Sequence, residues 1–363
     1  MSELKDMKIM IFPSKYIQGD GAINFLPEVM GKFGDKPLVL ATKSMVAKAE
    51  SLMGNTGKVL KFGGECSRNE IDRVKGIAVD YGATAIAAIG GGKPIDVCKV
   101  AADELGIPVV VAATIAATDA PCSGCAVVYT DDGVYVGVLY QKHNPDVVLI
   151  DTDVIVKAPV RFLISGMGDA LSTFFEANSC ERTGSLSECF GLRTKTAVAL
   201  SRLCLDMLLK YGRQAVVDAK KGIKSEAVEA IIEANTLLSG IGFESGGLGS
   251  AHSVHNGLTV LPGTHHLFHG EKVAFGALAG LHLYDELGMI DEIYDFCIDI
   301  GLPVTFEELN IPNVTDEELY QVAESTYKYN FMSHEPVEVS VEKIVEALKK
   351  TDEDGRAKKA KRK

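Results

Sequence analysis

No apolar stretch in this 363-residue chain approaches membrane-spanning length: the longest, Ile107 to Ala117, falls well short of roughly 18 residues. The amino-terminal MSELKDMKIMIF has charges on both sides of a small apolar patch, so the h-region of a secretory signal is missing. The expected compartment is therefore the cytoplasm, with no membrane partner. Basic residues are in deficit, 37 Lys and Arg against 49 Asp and Glu, for a formal charge of −12. A surface of that sign repels phosphate backbones and argues against nucleic acid as a partner. The basic run Lys358–Lys363 is expected to be a solvated tail. Cys122 and Cys125 form a CxxC without a second one to complete a structural zinc site, and the other cysteines sit in apolar surroundings. A disulfide framework is not expected. Internal repeats and Ser/Pro-rich linkers are also missing.

What is present is a globular composition, 47% hydrophobic and 24% charged, at a length that suits about two domains. The first 150 or so residues alternate short apolar runs with helical spacing. Residues 37–42, 59–62, 84–89 and 108–113 are near-continuous apolar runs, as in parallel strands buried on both faces. Residues 68–81 and 95–105 have helical spacing, 127–129 and 134–140 flank an Asp-Asp-Gly turn as a hairpin, and 147–150 predicts one more strand. Beyond Asp151 the pattern is helical, notably over 191–211, 225–240, 271–287 and 341–350. The expected architecture is an α/β dinucleotide-binding domain with a parallel sheet, residues 1–157, followed by an all-α domain, residues 158–363. A ligand cleft between the two is the default site for such an arrangement.

In the first half, Ile86-Ala-Ala-Ile-Gly90-Gly91-Gly92-Lys93-Pro94-Ile95-Asp96 runs from a buried strand through three glycines into a helix. Glycines admit a diphosphate close to the backbone, and a helix amino terminus offers free N–H groups and a positive dipole. Upstream, Gly19-Asp-Gly21-Ala-Ile-Asn24 imitates GxGxxG but has Asn at the third glycine, and turn chemistry accounts for it. Residues 40–44, Leu-Ala-Thr-Lys-Ser, contain no acid to bind a ribose and repel a 2′-phosphate. NAD and NADP both remain open on this reading.

Five of the eight histidines fall between 252 and 269. His252 and His255, three apart, lie near one helix face, and His269 opens another helical pattern. Two such imidazoles plus a carboxylate suit a catalytic metal with an open position. Asp169, in the Gly-rich segment Ser165–Leu171, is the expected third ligand, whereas His265 and His266 are expected to face solvent.

Taken in order, Lys15–Gly19, the GGGKPID turn, Thr114–Ser123, GMGDAL and the two histidine segments resemble the glycerol dehydrogenase branch of the iron-containing (group III) alcohol dehydrogenase family. The resemblance covers nearly the whole chain and implies the dehydroquinate synthase-like architecture. It implies Asp169, His252 and His269 as metal ligands. Iron-type relatives have a further His four residues after the aspartate; Thr173 stands there, which implies Zn²⁺ rather than Fe²⁺. It implies Gly91, Gly92, Lys93 and Asp96 at the pyrophosphate, and Thr114, Thr118, Ser123, Cys125 and Tyr129 around the nicotinamide and its ribose. Asp119 and Phe243 match the lining of a glycerol site. Three positions depart from the pattern: Thr42 stands where many relatives have an acid, Ala117 replaces a serine, and Cys125 an aliphatic residue.

The implied activity is zinc-assisted hydride transfer from glycerol or a related vicinal diol to a nicotinamide cofactor, giving dihydroxyacetone or a related hydroxyketone. Asp119 and His255 are the implied catalytic groups, the first binding a second hydroxyl, the second orienting the cofactor or relaying a proton. A homo-oligomer is implied, octamers being frequent in the branch. The alternatives are a glycerol-1-phosphate dehydrogenase or another enzyme of the same superfamily, and a catalytically silent NAD- or metal-binding protein.

Overall fold

The computed structural model describes residues 4–362. The chain divides into two compact units: one comprises Ile11–Pro159 with Gly222–Lys224, the other the residues up to Met10, Val160–Lys221 and Ser225 onward. Neither exchanged segment follows from periodicity. Ile9 donates to the Leu192 carbonyl and Leu192 to that of Met7, both at 2.8 Å, which ties the start of the chain to the second unit. Lys224 pairs with Asp20 at 2.6 Å and Asp153 at 3.3 Å, which ties residues 222–224 to the first.

The first unit is built on a six-stranded, wholly parallel sheet. Its strands are β1 (Tyr16–Gly19), β2 (Pro37–Ala41), β3 (Lys58–Lys61), β4 (Ala85–Gly90), β5 (Val109–Ala113) and β8 (Val147–Asp151), in the order β1-β8-β5-β4-β2-β3. The hairpin strands β6 (Cys125–Tyr129) and β7 (Tyr135–Tyr140) pair separately and antiparallel. Helices α1 (Leu26–Gly31), α2 (Val46–Met53), α3 (Arg68–Tyr81), α4 (Gly92–Leu105) and α5 (Thr152–Val156) complete the unit. Every residue of β2, β4, β5 and β8 is buried, in keeping with sequences that are apolar throughout except for Asp151 at the end of β8. The run at 59–62 departs from the expectation of burial on both faces: β3 closes the sheet, and its two lysines are exposed. β1 escapes sequence reading because YIQG has no apolar run; its pairing with β8 makes it a strand.

Asp151, at the end of β8, explains the imitation glycine motif. Its carboxylate accepts from the N–H groups of Gly21 at 3.2 Å and Ile23 at 3.1 Å while capping α5 through Asp153 at 3.0 Å. Gly21 has φ 78°, a left-handed conformation that favours glycine. The anion at that turn is the chain's own.

The second unit is helical: α6 (Val160–Thr183), α7 (Lys195–Lys220), α8 (Glu226–Glu233), α9 (Ser239–Gly246), α10 (Ser250–Leu258), α11 (His269–Leu283), α12 (Ile290–Ile300), α13 (Asp316–Lys328) and α14 (Val341–Ala360). The single helix expected over 225–240 is instead α8 and α9 joined by a π turn, Ala234–Leu238. There the Asn235 amide donates to the Leu163 carbonyl at 3.0 Å. The basic run at the chain end is solvent-facing as expected, with Lys361 and Arg362 exposed, but it continues a helix rather than forming a free tail. α14 continues to Ala360, Lys358 pairs with Asp291 at 2.7 Å, and Arg362 pairs with Asp295 and Asp299, each at 2.6 Å. Those aspartates recur every four residues on α12 and form an acidic row that the basic residues pair with at the surface; Lys363 lies outside the described residues. No helix among the described residues is long and apolar enough to cross a membrane.

Lys99 is the main polar feature of the first unit's interior. It is 2% exposed, pairs with Asp96 at 2.9 Å and donates to the carbonyls of Ala120 at 3.0 Å and Ser123 at 3.3 Å, and to that of Cys125. Asp96 also accepts from the Val127 N–H at 3.0 Å. One buried ion pair thus fastens residues 120–127 onto α4. Replacing Lys99 by Met should leave Asp96 buried and unpaired, at a loss of about 3–5 kcal/mol; urea unfolding measures it, and a loss within experimental error would refute the fastening role.

Candidate active site

Each unit contributes one candidate feature. In the sheet unit the chain runs from β2 outward to β3, then returns so that β4 lies on the other side of β2. The carboxyl ends of β2 and β4 therefore flank a topological switch point, where open α/β sheets bind ligands. The glycine turn lies there. A Cβ on Gly90 would meet Thr42 at 2.6 Å and Pro94 at 2.5 Å, and one on Gly91 would meet Ile115 at 2.9 Å. Packing leaves no room for a side chain at Gly90, whereas the contact at Gly91 is with the flexible tip of Ile115. Gly92 differs: a Cβ there would meet only Ala120 at 3.8 Å, and no side chain caps the amino terminus of the 14-residue helix α4. Uncapped N–H groups beside open space fit a phosphate.

The other expected cofactor residues lie around this turn, in the loop after β5 or on β6. Lys93 is exposed, pairs with Glu65 at 2.6 Å and stands 5.4 Å from the centre of the Tyr129 ring. Burial pushes the Tyr129 phenol up to about 12. Asp96 is turned inward to Lys99, and Ser123 is buried with its hydroxyl 3.3 Å from the Lys99 ammonium. Thr114 donates its N–H to Gly90 at 2.9 Å. Thr114, Thr118, Asp119 and Cys125 are half-buried.

In the helical unit, three helices bring Asp169, His252 and His269 together, their ligand atoms all within 4.8 Å of one another. Asp169 comes from the middle of α6, His252 from the first turn of α10, and His269 is the first residue of α11. Glycines allow the approach. A Cβ on Gly270 would lie 1.8 Å from the Ser165 carbonyl oxygen, one on Gly168 2.2 Å from that of Gly270, and one on Gly276 2.3 Å from that of Ala251. The backbones of α6 and α11, and of α10 and α11, meet where no side chain fits.

Asp169 is 2% exposed, and its Oδ1 has no hydrogen-bond partner among the described residues. Yet the Nε2 atoms of His269 and His252 face it at 3.1 Å and 3.5 Å. The far side of each ring is engaged: His252 Nδ1 is 2.7 Å from Glu176 Oε2, and His269 Nδ1 is 3.0 Å from His255 Nε2. If those Nδ1 atoms carry the protons, three lone pairs converge in a buried space and repel one another unless a cation lies between them. One carboxylate oxygen and two imidazole nitrogens suit zinc or iron, so the residues present fit a resident metal ion. Burial opposes the charge on Asp169, but the His269 and His252 rings outweigh it and hold the carboxyl below the usual range.

His255 stands behind His269, its own Nδ1 3.0 Å from Asn256 Oδ1. Burial, then the neighbouring His269, Lys272 and His252, lower its pKa, which keeps the ring neutral. Thr173 is directed to Ser239, oxygen to oxygen at 3.2 Å, so it adds no fourth donor. Phe243 is buried in α9. His265 and His266 are exposed. Sequence reading missed Glu176 and Lys99. Each had a faint signal: Glu176 lies seven residues, two helical turns, beyond Asp169, and Lys99 lies three beyond Asp96.

Residues 13–152 match the family model described as iron-containing alcohol dehydrogenase. A glycerol dehydrogenase of Thermotoga maritima is 46% identical over 359 residues, covering 96% of this chain and 98% of that protein. The chain belongs to the iron-containing alcohol dehydrogenase family. A glycolaldehyde reductase of Halobacterium salinarum is 39% identical, with 95% of this chain and 97% of that protein aligned. The crystal structure of the Schizosaccharomyces pombe glycerol dehydrogenase superposes with a TM-score of 0.91 at 38% identity, over 98% of this chain and 92% of that one. The family assignment makes this chain an oxidoreductase and implies a nicotinamide-type cofactor and a metal; the expected fold class is the one observed.

Because Gly270 seats His269 against Asp169, Gly270→Ala should destabilise the protein by about 1–3 kcal/mol and weaken metal binding at the three donors. Thermal unfolding and zinc titration test this; an unchanged melting temperature would show that the helix crossing yields easily.

Proposed function

We propose that this enzyme oxidises glycerol or a closely related vicinal diol to the hydroxyketone, passing hydride to a nicotinamide dinucleotide, with a metal held by Asp169, His252 and His269. The observation carrying this reading is the convergence of those three donors with Asp169 Oδ1 buried and unpartnered. The curated relatives support it, as does the uncapped amino terminus of α4 at the switch point. In the overall reaction the substrate loses a hydroxyl proton and, from the same carbon, a hydride; glycerol gives dihydroxyacetone and the cofactor is reduced.

A divalent ion at the three donors, zinc on the three-ligand count, would supply Lewis acidity that lowers the pKa of a bound alcohol. The chain's own residues do the positioning. The N–H groups at Gly91 and Gly92, with Lys93, would hold the diphosphate. Thr114, Thr118, Ser123, Cys125 and Tyr129 belong to the loop and hairpin that would carry the ring and ribose. Asp119 would accept a hydrogen bond from the second hydroxyl, preferring a diol to a simple alcohol, and Phe243 would line the carbon chain. His255 would act through His269, keeping its Nε2 aimed at Asp169.

The absorbance of reduced nicotinamide, followed with glycerol and either NAD or NADP, should show activity that is lost with chelator and restored by zinc. Persistent activity in a zinc-free His252→Ala variant would overturn the mechanism. Cofactor choice is testable at Thr42, which adjoins the glycine turn without a carboxylate. Thr42→Asp should shift preference toward NAD by repelling a 2′-phosphate, and an unchanged NAD to NADP ratio of kcat/KM would count against that placement.

A further inference from the structure

Glu176 is 2% exposed, and its two carboxylate oxygens do different things. Oε1 accepts from the backbone N–H groups of Gly249 at 2.8 Å and His252 at 3.0 Å, at the start of α10. Oε2 lies 2.7 Å from His252 Nδ1. Gly249 leaves room for this approach: a Cβ there would meet Glu176 Cγ at 3.3 Å. One buried side chain from α6 thus caps the helix that carries His252 and also grips that imidazole.

The hydrogen-bond types fix the tautomer. A carboxylate only accepts, so Nδ1 must donate; in the neutral ring, the form a metal requires, Nε2 then keeps the lone pair that faces Asp169. We infer that Glu176 is a positioning residue: it orients His252 and holds it in the one tautomer able to bind metal through Nε2. The inference rests on the metal-site reading above. Asp169 and Glu176 stand two turns apart on α6, so a single helix supplies both the anionic donor and the acceptor behind the opposing ring.

Glu176→Gln separates the two tasks. The two backbone N–H groups require the amide oxygen on their side, as the native Oε1 is, which turns the amide NH₂ toward His252 Nδ1. That amide can only donate, so Nδ1 must accept, and the proton moves to Nε2, where it blocks coordination. The helix cap survives while the tautomer inverts.

Zinc competition titration should show Glu176→Gln binding zinc at least about 10–100-fold more weakly than wild type, while the chelator-stripped proteins melt within a few degrees of each other. Equal zinc affinity in the two would overturn the role of Glu176. Should wild type itself bind no zinc, while melting normally, it is the metal-site reading that fails. A second readout does not depend on the variant folding. In zinc-loaded wild type with ¹⁵N-labelled histidine, the His252 Nδ1 proton should be far downfield and protected from exchange, as for a proton shared with a buried carboxylate. A solvent-exchanging proton at ordinary shift would also overturn the proposal.

Discussion

The chemistry of the helical unit depends on a buried carboxylate whose neighbours offer lone pairs. Asp169 lies deep in α6, where an ionised group is costly unless it is compensated. Two imidazoles face it, and each ring is tethered from behind by an acceptor, Glu176 for His252 and His255 for His269. Protons or a cation must stand between these groups. The rest of the arrangement serves that constraint: α6, α10 and α11 can converge only because glycines stand where their backbones meet. Those glycines therefore act as spacers at helix crossings, with no need for unusual backbone angles.

In the sheet unit the governing constraint is topological. The chain reverses its winding direction between β3 and β4, which leaves the carboxyl ends of β2 and β4 as the place where a ligand can reach helix N–H groups. The three glycines there divide their roles. Gly90 is small because Thr42 and Pro94 press on it, Gly91 faces only the tip of Ile115, and Gly92 adjoins the open side. The buried Lys99–Asp96 pair then clamps the following loop and the hairpin to α4. It is an interior scaffold beneath the residues read as surrounding the nicotinamide.

Some of this was legible without coordinates. The near-continuous apolar runs at 37–42, 84–89 and 108–113 pointed to doubly covered strands, because a strand with one wet face alternates, although the similar run at 59–62 forms an edge strand with exposed lysines. Residues 68–81 form a helix with those bounds, Ser67 capping it by accepting from Glu70 N at 3.3 Å. The grouping of His252, His255 and His269 beside glycines pointed to a site, and Asp169 stood out as an acid in an apolar segment. Reading failed where the deciding partner was remote: β1 forms through β8, the basic terminus through the acidic row on α12, and the π turn in the π-bridged 225–246 segment has no local signature.

By itself, the sequence determined which residues could be strands or helices, since burial imposes periods of two or 3.6 and these are local properties. It also determined the pool of metal donors, because residue chemistry is fixed before folding. Only tertiary structure decided which donors meet and in what state. Whether Glu176 is a surface acid or the acceptor behind His252, and whether Asp96 faces the turn or Lys99, depends on contacts between residues distant in sequence or on opposite faces of a helix. Hydrogen-bond direction, and with it the tautomer of each histidine, is set by those contacts and has no trace in local pattern.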